Sequence, residues 1–249
     1  MKPMITKKQL KKASELAECA RVAYLDGKQA KDAYKELGYK NHKFFDIDGA
    51  QCHAVWDDQQ YILAFRGTEP DQISDILADL NALPKKSMTD GWVHMGFRGE
   101  VDKLWKDIEA HQEKYCGERS FYICGHSLGA AMATIATSRF EDVEMAEVRG
   151  LFTYGSPRAG TSSFVKGINT PHFRFVNNND IVTAVPPWFM MYRHSGQLVY
   201  INHYGNIRKM TVWQRIKDKW RGYKSGLTDG IGDHDMSKYC QFIRNNCDD

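Results

Sequence analysis

The sequence predicts an α/β fold in which helices flank a mostly parallel central sheet. Short apolar runs typical of strands recur along the chain, and helical patterns separate several of them. The strand-like runs cover residues 51–56, 61–66, 120–125, 149–154, 173–177 and 197–202, and the helical patterns cover 97–114, 128–140 and 234–245. Strands that alternate with helices form parallel sheets through crossover connections. In such sheets, functional residues lie on loops beyond the carboxyl ends of the strands.

The start of the chain has the composition of a helix. Over residues 7–37, apolar side chains recur at spacings of three or four, the period of one helix face. These side chains are Leu10, Ala13, Leu16, Ala17 and Ala20. The 249 residues contain no internal repeat and no linker rich in glycine, serine or proline. Although this length also allows two small domains, we expect a single domain over residues 1–249.

Composition and charge narrow the class of protein. Hydrophobic residues make up 42% of the chain and charged residues 26%, which is ordinary for a globular protein and excludes a disordered or collagen-like one. The net charge of +3 is too small to indicate a nucleic-acid partner, and we expect none. Residues 1–43 and 206–224 each carry a net charge of +6, so the remainder is acidic, at −9. The two basic segments favour local attraction to anionic surfaces.

The basic N-terminal segment has no continuous apolar run, so we expect no cleavable secretory signal. An uncharged stretch over residues 120–138 is about long enough for a membrane helix, but it contains Gly125, His126, Ser127 and Gly129, which favour a tight turn. The six cysteines form no CxxC pair and no metal-ligand spacing. We therefore expect no transmembrane segment, reduced cysteines and a cytoplasmic protein, with export by another route left open.

The strongest local signal is a Gly-x-Ser-x-Gly motif between an apolar strand and an alanine-rich helix. Its residues are Gly125, His126, Ser127, Leu128 and Gly129. A strand that turns sharply into a helix strains the backbone at the serine, and a Cβ atom at either glycine would collide with its neighbours. The turn exposes the serine hydroxyl above the sheet, beside a helix N-terminus that favours negative charge. We therefore predict that Ser127 is a nucleophile; the alternative is a plain glycine turn.

A serine nucleophile needs a histidine base and a carboxylate that orients it. In a fold with this strand–turn–helix motif, the chain order is serine, acid, histidine. Asp180 lies at the carboxyl end of a predicted strand, where the alternative is a solvated turn aspartate. Three histidines follow it. His194 and His203 flank a strand-like hairpin over residues 197–204, whereas His234 opens the final helix on a loop that can reach the nucleophile. We predict His234 as the base, with His203 as the alternative.

A developing oxyanion needs hydrogen-bond donors. An apolar strand ends in Arg66, Gly67 and Thr68, and the glycine allows this loop to approach closely. The N–H groups of Thr68 and Leu128 are the predicted donors, and Thr68 Oγ1 is a third candidate. The alternative is an ordinary strand end.

Together these motifs resemble the class 3 (fungal-type) lipase family of α/β-hydrolases. The matching segments are residues 65–68, 93–97, 125–131, 152–160, 176–182 with Pro186 and Pro187, and, more loosely, 233–239. They follow the family's order over roughly residues 15–245. The resemblance implies an α/β-hydrolase fold, a triad of Ser127, Asp180 and His234, and an oxyanion hole formed by Thr68 and Leu128. It also implies hydrolysis of carboxylic esters, usually acylglycerols, without a metal or cofactor.

The resemblance further implies a lid at about residues 69–80 and a nearby site for the acyl chain. An amphipathic stripe within the lid and an apolar run after the acid residue would contact the lipid. The predicted substrate-binding residues are Ile73, Ile76, Leu77, His94, Trp188 and Phe189. For the apolar run over residues 181–191, the alternative is a loop packed into the core. Many secreted members also tie the N-terminal helix to the C-terminus by a disulfide, and Cys19 and Cys247 lie where such a bridge could form.

The expected partner is a lipid or ester substrate, with peripheral contact at lipid interfaces. A second segment, residues 212–224, bears on that contact because Trp213, Ile216, Trp220 and Tyr223 form one helical stripe flanked by cations. We favour a helix packed on the body of the protein, and the alternative is an interfacial helix drawn to anionic lipid. The rival functions are a phospholipase or galactolipid acyl hydrolase with the same triad, and a catalytically silent binding protein. The presence of all three triad residues disfavours the last.

The lid hypothesis predicts modest interfacial activation. Ile76 and Leu77 lie on the apolar stripe, but acidic residues crowd it, so short soluble esters should also be turned over appreciably. The rate is measured with tributyrin across its solubility limit, for the natural sequence and for Ile76→Ser/Leu77→Ser. A rate increase above saturation that the double variant abolishes is expected. A flat profile in both proteins would mean that the segment is a fixed wall and the enzyme an esterase.

Overall fold

A computed structural model of the chain describes residues 5–68, 83–142, 147–211, 213–214 and 229–248. The predicted lid at about 69–80, with Ile73, Ile76 and Leu77, lies outside the described residues. So does most of the basic aromatic segment over 212–224.

Among the described residues, two N-terminal helices are followed by five strands, after which helices lie between several of the remaining strands. The helices are α1 (Lys7–Val22), α2 (Gly27–Glu36), α3 (Met95–Tyr115), α4 (Leu128–Asp142), α5 (Ser162–Gly167), α6 (Asp229–Gly232) and α7 (Met236–Asp248). The strands are β1 (Asn41–Ile47), β2 (Ala50–Trp56), β3 (Gln60–Phe65), β4 (Pro84–Lys86), β5 (Trp92–His94), β6 (Ser120–His126), β7 (Val148–Tyr154), β8 (Gly160–Thr161), β9 (His172–Asn177), β10 (Tyr192–Arg193) and β11 (Gln197–Ile201).

Seven strands form the central sheet in the order β1-β2-β3-β6-β7-β9-β11. The five strands from β3 to β11 pair in parallel, and only the β1-β2-β3 edge is antiparallel. Helices α1, α2 and α7 contribute to the apolar core on one face of this sheet, and α3 and α4 contribute to the core on the other. The mostly parallel sheet flanked by helices is therefore confirmed.

A second sheet was not predicted. It contains four short antiparallel strands in the order β10-β8-β5-β4. Each of them has only two or three residues, which is too few for an alternating hydrophobic pattern to indicate a strand. The sheet matters for the site because β10 directly follows the loop that carries Trp188 and Phe189.

The N-terminal region differs from the sequence expectation. The helical composition over residues 7–37 corresponds to two helices, since α1 ends at Val22 and α2 begins at Gly27. Strand β1 was missed because its side chains are mostly exposed or half-exposed, which hides the apolar signal. It forms a hairpin with β2 through Asp48 and Gly49, both of which have positive φ.

The expected hairpin over residues 197–204 is wrong. Strand β11 pairs in parallel with β9 from Gln197–Phe173 to Ile201–Asn177, and in the described residues the chain turns back on it only through a single antiparallel bridge between Ile201 and Ile207. Its buried residues Val199 and Ile201 belong to the α1 side of the core, so burial on the central sheet is more favourable than a local hairpin.

Cys52 on β2 and Cys124 on β6 are fully buried. None of the six cysteines, Cys19 and Cys247 included, forms a disulfide. Burial raises the pKa of the Cys19 thiol to about 12. Within the described ranges, no helix combines the length and the apolar character needed to cross a membrane.

Gly129 sets how closely α4 approaches the end of β3. A Cβ atom at this position would lie 2.7 Å from the carbonyl carbon and oxygen of Arg66, and still closer to the Phe65 carbonyl oxygen. Because backbone atoms cannot move aside as a flexible side chain can, only glycine fits at this contact.

We expect Gly129→Ala to lower the free energy of unfolding by at least about 2 kcal/mol, because β3 and α4 must separate. The matched control is Gly99→Ala in α3, where a Cβ atom would meet nothing within 4 Å. That change should raise the free energy of unfolding by about 1 kcal/mol, since alanine is the better helix former. Both values come from urea unfolding, and equal effects at the two positions would contradict the steric account.

Candidate active site

Ser127 lies at the sharp turn between β6 and α4, as predicted. Its φ of 57° is in the left-handed region, which is strained for a residue with a side chain. The turn is closed by hydrogen bonds from the Ser127 N–H to the Tyr154 oxygen (3.1 Å) and from the Ala130 N–H to the Ser127 oxygen (3.0 Å). A Cβ atom at Gly125 would lie 2.5 Å from the Gly129 carbonyl carbon. The residue is only 4% exposed, so its hydroxyl is more enclosed than the sequence suggested.

Asp180 and His234 form a buried pair. The His234 Nδ1 atom lies 2.9 and 2.8 Å from the two carboxylate oxygens of Asp180, and the Val182 N–H donates to Asp180 Oδ1 at 3.0 Å. A carboxylate oxygen only accepts, so Nδ1 carries the proton and Nε2 presents its lone pair. In the described part of the chain, His234 Nε2 is buried and has no hydrogen-bond partner. It is the one ring atom available to accept a proton.

Tyr239 on α7 completes the environment of Asp180. Its hydroxyl donates to Asp180 Oδ2 at 2.6 Å and accepts from the Asn177 N–H at 2.9 Å. Burial, reinforced by the Asp180 charge, raises the pKa of Tyr239 far above its ordinary value, so the hydroxyl remains a donor. The sequence motif contained this tyrosine without revealing its role, because the contact spans 59 residues.

Three consecutive asparagines fasten the loop that carries the base to the loop that carries the acid. Asn177 Nδ2 donates to the Asp233 main-chain oxygen at 2.9 Å, and Asn178 Nδ2 donates to Asp233 Oδ2 at 2.9 Å. The Asn179 N–H also donates to Asp233 Oδ2, at 3.1 Å. Asp233 directly precedes His234, so these contacts fix the position of the histidine. No role was predicted for these asparagines from the sequence.

His126 supports His234 from the other side. The two rings stack with centroids 4.4 Å apart, and His126 Nε2 donates to the His234 main-chain oxygen at 2.8 Å. Its Nδ1 therefore accepts, and the Tyr24 hydroxyl donates to it at 2.7 Å. Burial, and then the neighbouring His234, lower the pKa of His126 well below its ordinary value. Because the His126 ring is neutral, it does not repel the positive charge that would form on His234 during proton transfer.

Gly155 leaves space for the pair. Its φ is +57°, and a Cβ atom there would lie 2.7 Å from His234 Nδ1 and from Asp180 Oδ2. Any side chain at this position would push the base from the acid. The residue follows β7 in one of the matching segments, but its position behind the pair is visible only in three dimensions.

The predicted oxyanion donors lie beside the nucleophile. A Cβ atom at Gly67 would lie 3.0 Å from Ser127 Cβ and 2.5 Å from the His126 oxygen, which brings the loop containing Thr68 against the Ser127 turn. Leu128 is the first residue of α4, so its N–H has no acceptor within the helix. Both amides remain the predicted oxyanion hole.

Two cavities flank this loop. The larger, of about 420 Å³, opens beside the base and is lined by Arg21, Tyr24, Thr68, His126, Ile231, Gly232, His234, Asp235, Met236 and Ser237. The smaller, of about 240 Å³, is lined by Gly49, Ala50, Gln51, Arg66, Gly67, Thr68, Glu100, Leu128 and Met132. Among the residues that the structure describes, no group of three or more His, Cys, Asp and Glu side chains is arranged to hold a metal ion.

The other predicted substrate residues occupy two different environments. His94 is buried at the start of α3, where Nδ1 accepts the Phe97 N–H and the ring stacks on Phe97; burial lowers its pKa to about 4. Trp188 and Phe189 are instead exposed, so the alternative of a loop packed into the core is wrong for these two side chains. Their role in substrate binding stays a prediction, as does that of His94.

His194 supports the loop that carries Asp180, through Thr183. Its Nε2 donates to the Thr183 oxygen at 2.9 Å, and Thr183 Oγ1 donates to the Asp180 main-chain oxygen at 2.8 Å. Burial, followed by the positive charges of Arg174 and Arg158, lowers the pKa of His194 to about 2. His203, the alternative base, is exposed and its ring contacts Tyr204; the partner of Asp180 is His234.

The chain was compared with known proteins. A family model described as Lipase (class 3) matches residues 62–190. Toxin TseL of Vibrio cholerae is 29% identical over 227 residues, covering 71% of this chain and 35% of that protein. Secreted mono- and diacylglycerol lipase A of Penicillium cyclopium is 30% identical over 168 residues, covering 63% of this chain and 53% of the relative. The chain thus spans about half or less of the length of these curated relatives.

Solved structures share the architecture. The triacylglyceride lipase of Rhizomucor miehei superimposes with a TM-score of 0.68 at 22% identity, over 79% of this chain and 81% of that one. A triacylglycerol lipase described as having a serine protease triad as its catalytic centre superimposes with a TM-score of 0.69 at 22% identity, with the same coverage. These similarities establish a common fold, the α/β-hydrolase fold expected from the sequence.

The depressed pKa of His194 gives a testable pH dependence. Below about pH 6.5 the unfolded chain binds a proton at this position that the folded chain does not, so folding stability falls as the pH decreases. This histidine makes the free energy of unfolding change with pH, with a slope of up to about 1.4 kcal/mol per pH unit. We expect His194→Gln, whose amide can still donate to Thr183, to remove that part of the slope in urea unfolding between pH 7 and about pH 4.5. His203→Gln, at an exposed histidine, is the control; an unchanged slope in His194→Gln would contradict the prediction.

Proposed function

The chain belongs to the class 3 lipase family, and we propose that it is a serine hydrolase that cleaves carboxylic esters of the acylglycerol type. The observation that carries this proposal is the buried His234–Asp180 pair, whose Nε2 atom has no partner in the described residues, together with the strained turn at Ser127. Burying an unsatisfied ring nitrogen and straining a serine both cost stability, and such costs cluster at catalytic sites.

Acylation begins when Ser127 Oγ attacks the ester carbonyl carbon while His234 Nε2 takes the hydroxyl proton. Asp180, which accepts from Nδ1, holds the ring in the tautomer that leaves Nε2 free and stabilises the imidazolium. The negative charge on the carbonyl oxygen is met by the N–H groups of Thr68 and Leu128. His234 then protonates the departing alcohol, the carbon–oxygen bond breaks, and an acyl-Ser127 ester remains.

Deacylation repeats these steps with water. His234 Nε2 removes a proton from the water as its oxygen attacks the acyl carbon, and the same two amides stabilise the second oxyanion. Return of the proton to Ser127 Oγ releases the fatty acid and restores the enzyme. Since Tyr239 and Val182 keep Asp180 fully hydrogen-bonded, the acid does not need solvent at any stage.

The acylglycerol class is supported by the family and by a relative described as a mono- and diacylglycerol lipase. We also propose peripheral contact with a lipid interface, which would bring an insoluble substrate to the site. Support comes from apolar side chains that are exposed next to the catalytic loops, including Ile181 directly after Asp180 and Ile231 three residues before His234. A phospholipase or galactolipid hydrolase would use the same steps and differ only in the alcohol that leaves.

We expect Ser127→Ala and His234→Ala each to lower kcat on p-nitrophenyl butyrate by about a thousandfold or more, because triad residues act as a unit. A fluorophosphonate probe should label the natural protein and not Ser127→Ala. Ser163→Ala, at an exposed serine on α5, is the control for labelling and turnover.

Labelling that persists in Ser127→Ala would assign the nucleophile elsewhere. Absence of labelling and turnover in the natural protein would favour the silent binding protein. The substrate class follows from initial rates on triacylglycerol, diacylglycerol, phospholipid and galactolipid of one acyl composition. A strong preference for either polar lipid would replace the acylglycerol proposal while leaving the mechanism intact.

A further inference from the structure

Four consecutive large apolar residues protrude between the loop that carries Asp180 and the second sheet. We refer to Trp188, Phe189, Met190 and Met191 as the apolar wedge. Their exposed fractions are 68%, 69%, 41% and 69%. Single exposed apolar residues are ordinary on a protein surface, but a contiguous run of this size marks a surface that contacts another apolar phase.

The wedge is held in shape without being covered. Its backbone forms a 3₁₀ turn in which the Met190 N–H donates to the Pro187 oxygen at 3.0 Å and the Met191 N–H donates to the Trp188 oxygen at 3.2 Å. Arg193 Nη1 also donates to the Trp188 oxygen, at 2.7 Å. A loop that is ordered before binding loses little conformational entropy when it inserts. These contacts direct apolar side chains outward on a stable base.

Two arginines lie at the base of the wedge. Arg158 Nη1 donates to the Pro186 oxygen at 2.7 Å and also to the Ala184 oxygen, while Arg193 bonds the wedge itself. Both guanidinium groups therefore bind main-chain oxygens of one short stretch, residues 184–188, and burial lowers the pKa of Arg158. In the part of the chain that the structure describes, neither arginine pairs with a carboxylate. Two arginines that bind the same short stretch place positive charge at the base of the wedge, which favours an anionic group.

The combination fits a membrane surface better than a protein groove. An apolar turn that enters acyl chains brings the residues at its base to the level of the lipid phosphates, where arginine is favourable. The wedge also follows Asp180 within one continuous loop, and Ile181 in that loop is exposed as well. Docking by the wedge would therefore turn the catalytic loops toward the lipid.

We propose that the apolar wedge, with Arg158 and Arg193, is a docking surface for bilayers that contain anionic phospholipid. This inference rests on the proposed lipid-ester hydrolysis for its biological sense, but its test does not. Binding is measured in the Ser127→Ala background, so that no lipid is hydrolysed, and catalysis is judged separately by fluorophosphonate labelling of the natural protein.

Vesicle flotation is compared for phosphatidylcholine alone and for phosphatidylcholine with phosphatidylglycerol. We expect binding to the anionic vesicles, with a blue shift of tryptophan emission. Trp188→Ser/Phe189→Ser should weaken the partition coefficient by about 100-fold, as expected for two large apolar side chains. Arg158→Gln/Arg193→Gln should weaken it by about fivefold for each charge on anionic vesicles only, and added salt should reduce the difference.

The matched control is Trp213→Ser, which alters an equally exposed tryptophan (75%) in the basic aromatic segment. This variant should bind the anionic vesicles as strongly as the Ser127→Ala protein without further substitution. Far-UV circular dichroism and thermal unfolding check that each variant is folded; this check matters most for Arg158, which is half-buried, whereas Trp188, Phe189, Arg193 and Trp213 are exposed.

Several results would overturn the proposal. The first is that the Ser127→Ala protein does not bind anionic vesicles. The second is that Trp188→Ser/Phe189→Ser binds them as strongly as before. The third is that only Trp213→Ser loses binding. The last result would assign lipid contact to the basic aromatic segment instead. Equal binding to both vesicle types would remove the role of the arginines. Competition by inorganic phosphate alone would indicate a free-phosphate site, and a dimer that the wedge variant dissociates would indicate self-association.

Discussion

The buried carboxylate of Asp180 is the constraint on which the candidate active site depends. A carboxylate removed from water must be met by hydrogen-bond donors, or its desolvation is too costly. The donors come from three separate places: the Val182 N–H on the same loop, His234 after α6, and Tyr239 on α7. The single buried charge therefore fixes the position of the C-terminal helix relative to the end of β9. The arrangement of the base is a consequence of satisfying the acid.

The same logic explains which parts of the site could be predicted from the sequence. The turn at Ser127 was visible because its requirement for small residues is local, and Asp180 was visible because it ends an apolar strand. His234 could be selected because it opens the last helix. In contrast, Tyr239 and His126 act through contacts that span more than fifty residues. Their residue types fit many roles, and only the fold makes one role specific.

The strands also divide into those that the sequence predicts and those that it does not. Strands β2, β3, β6, β7 and β9 are apolar and mostly buried, so hydrophobic runs were enough to predict a parallel sheet. Strand β1 is exposed at the edge, and the strands of the second sheet are held by pairing and not by apolar content. The hairpin expected after residue 197 failed for the opposite reason. Its apolar residues were recognised, but β9, distant in sequence, is a better partner than the adjacent chain.

The loop after β9 combines two environments that are usually kept apart. Its third residue, Asp180, is buried and fully hydrogen-bonded, while Trp188 and Phe189, eight and nine residues later, are largely exposed. The change occurs across Thr183 and Pro186, whose oxygens are bonded by His194 and Arg158. These contacts anchor the middle of the loop to the body, so displacement of its apolar end by a lipid surface need not move the acid. A buried, hydrogen-bonded carboxylate and an outward apolar segment can therefore belong to one continuous stretch of chain.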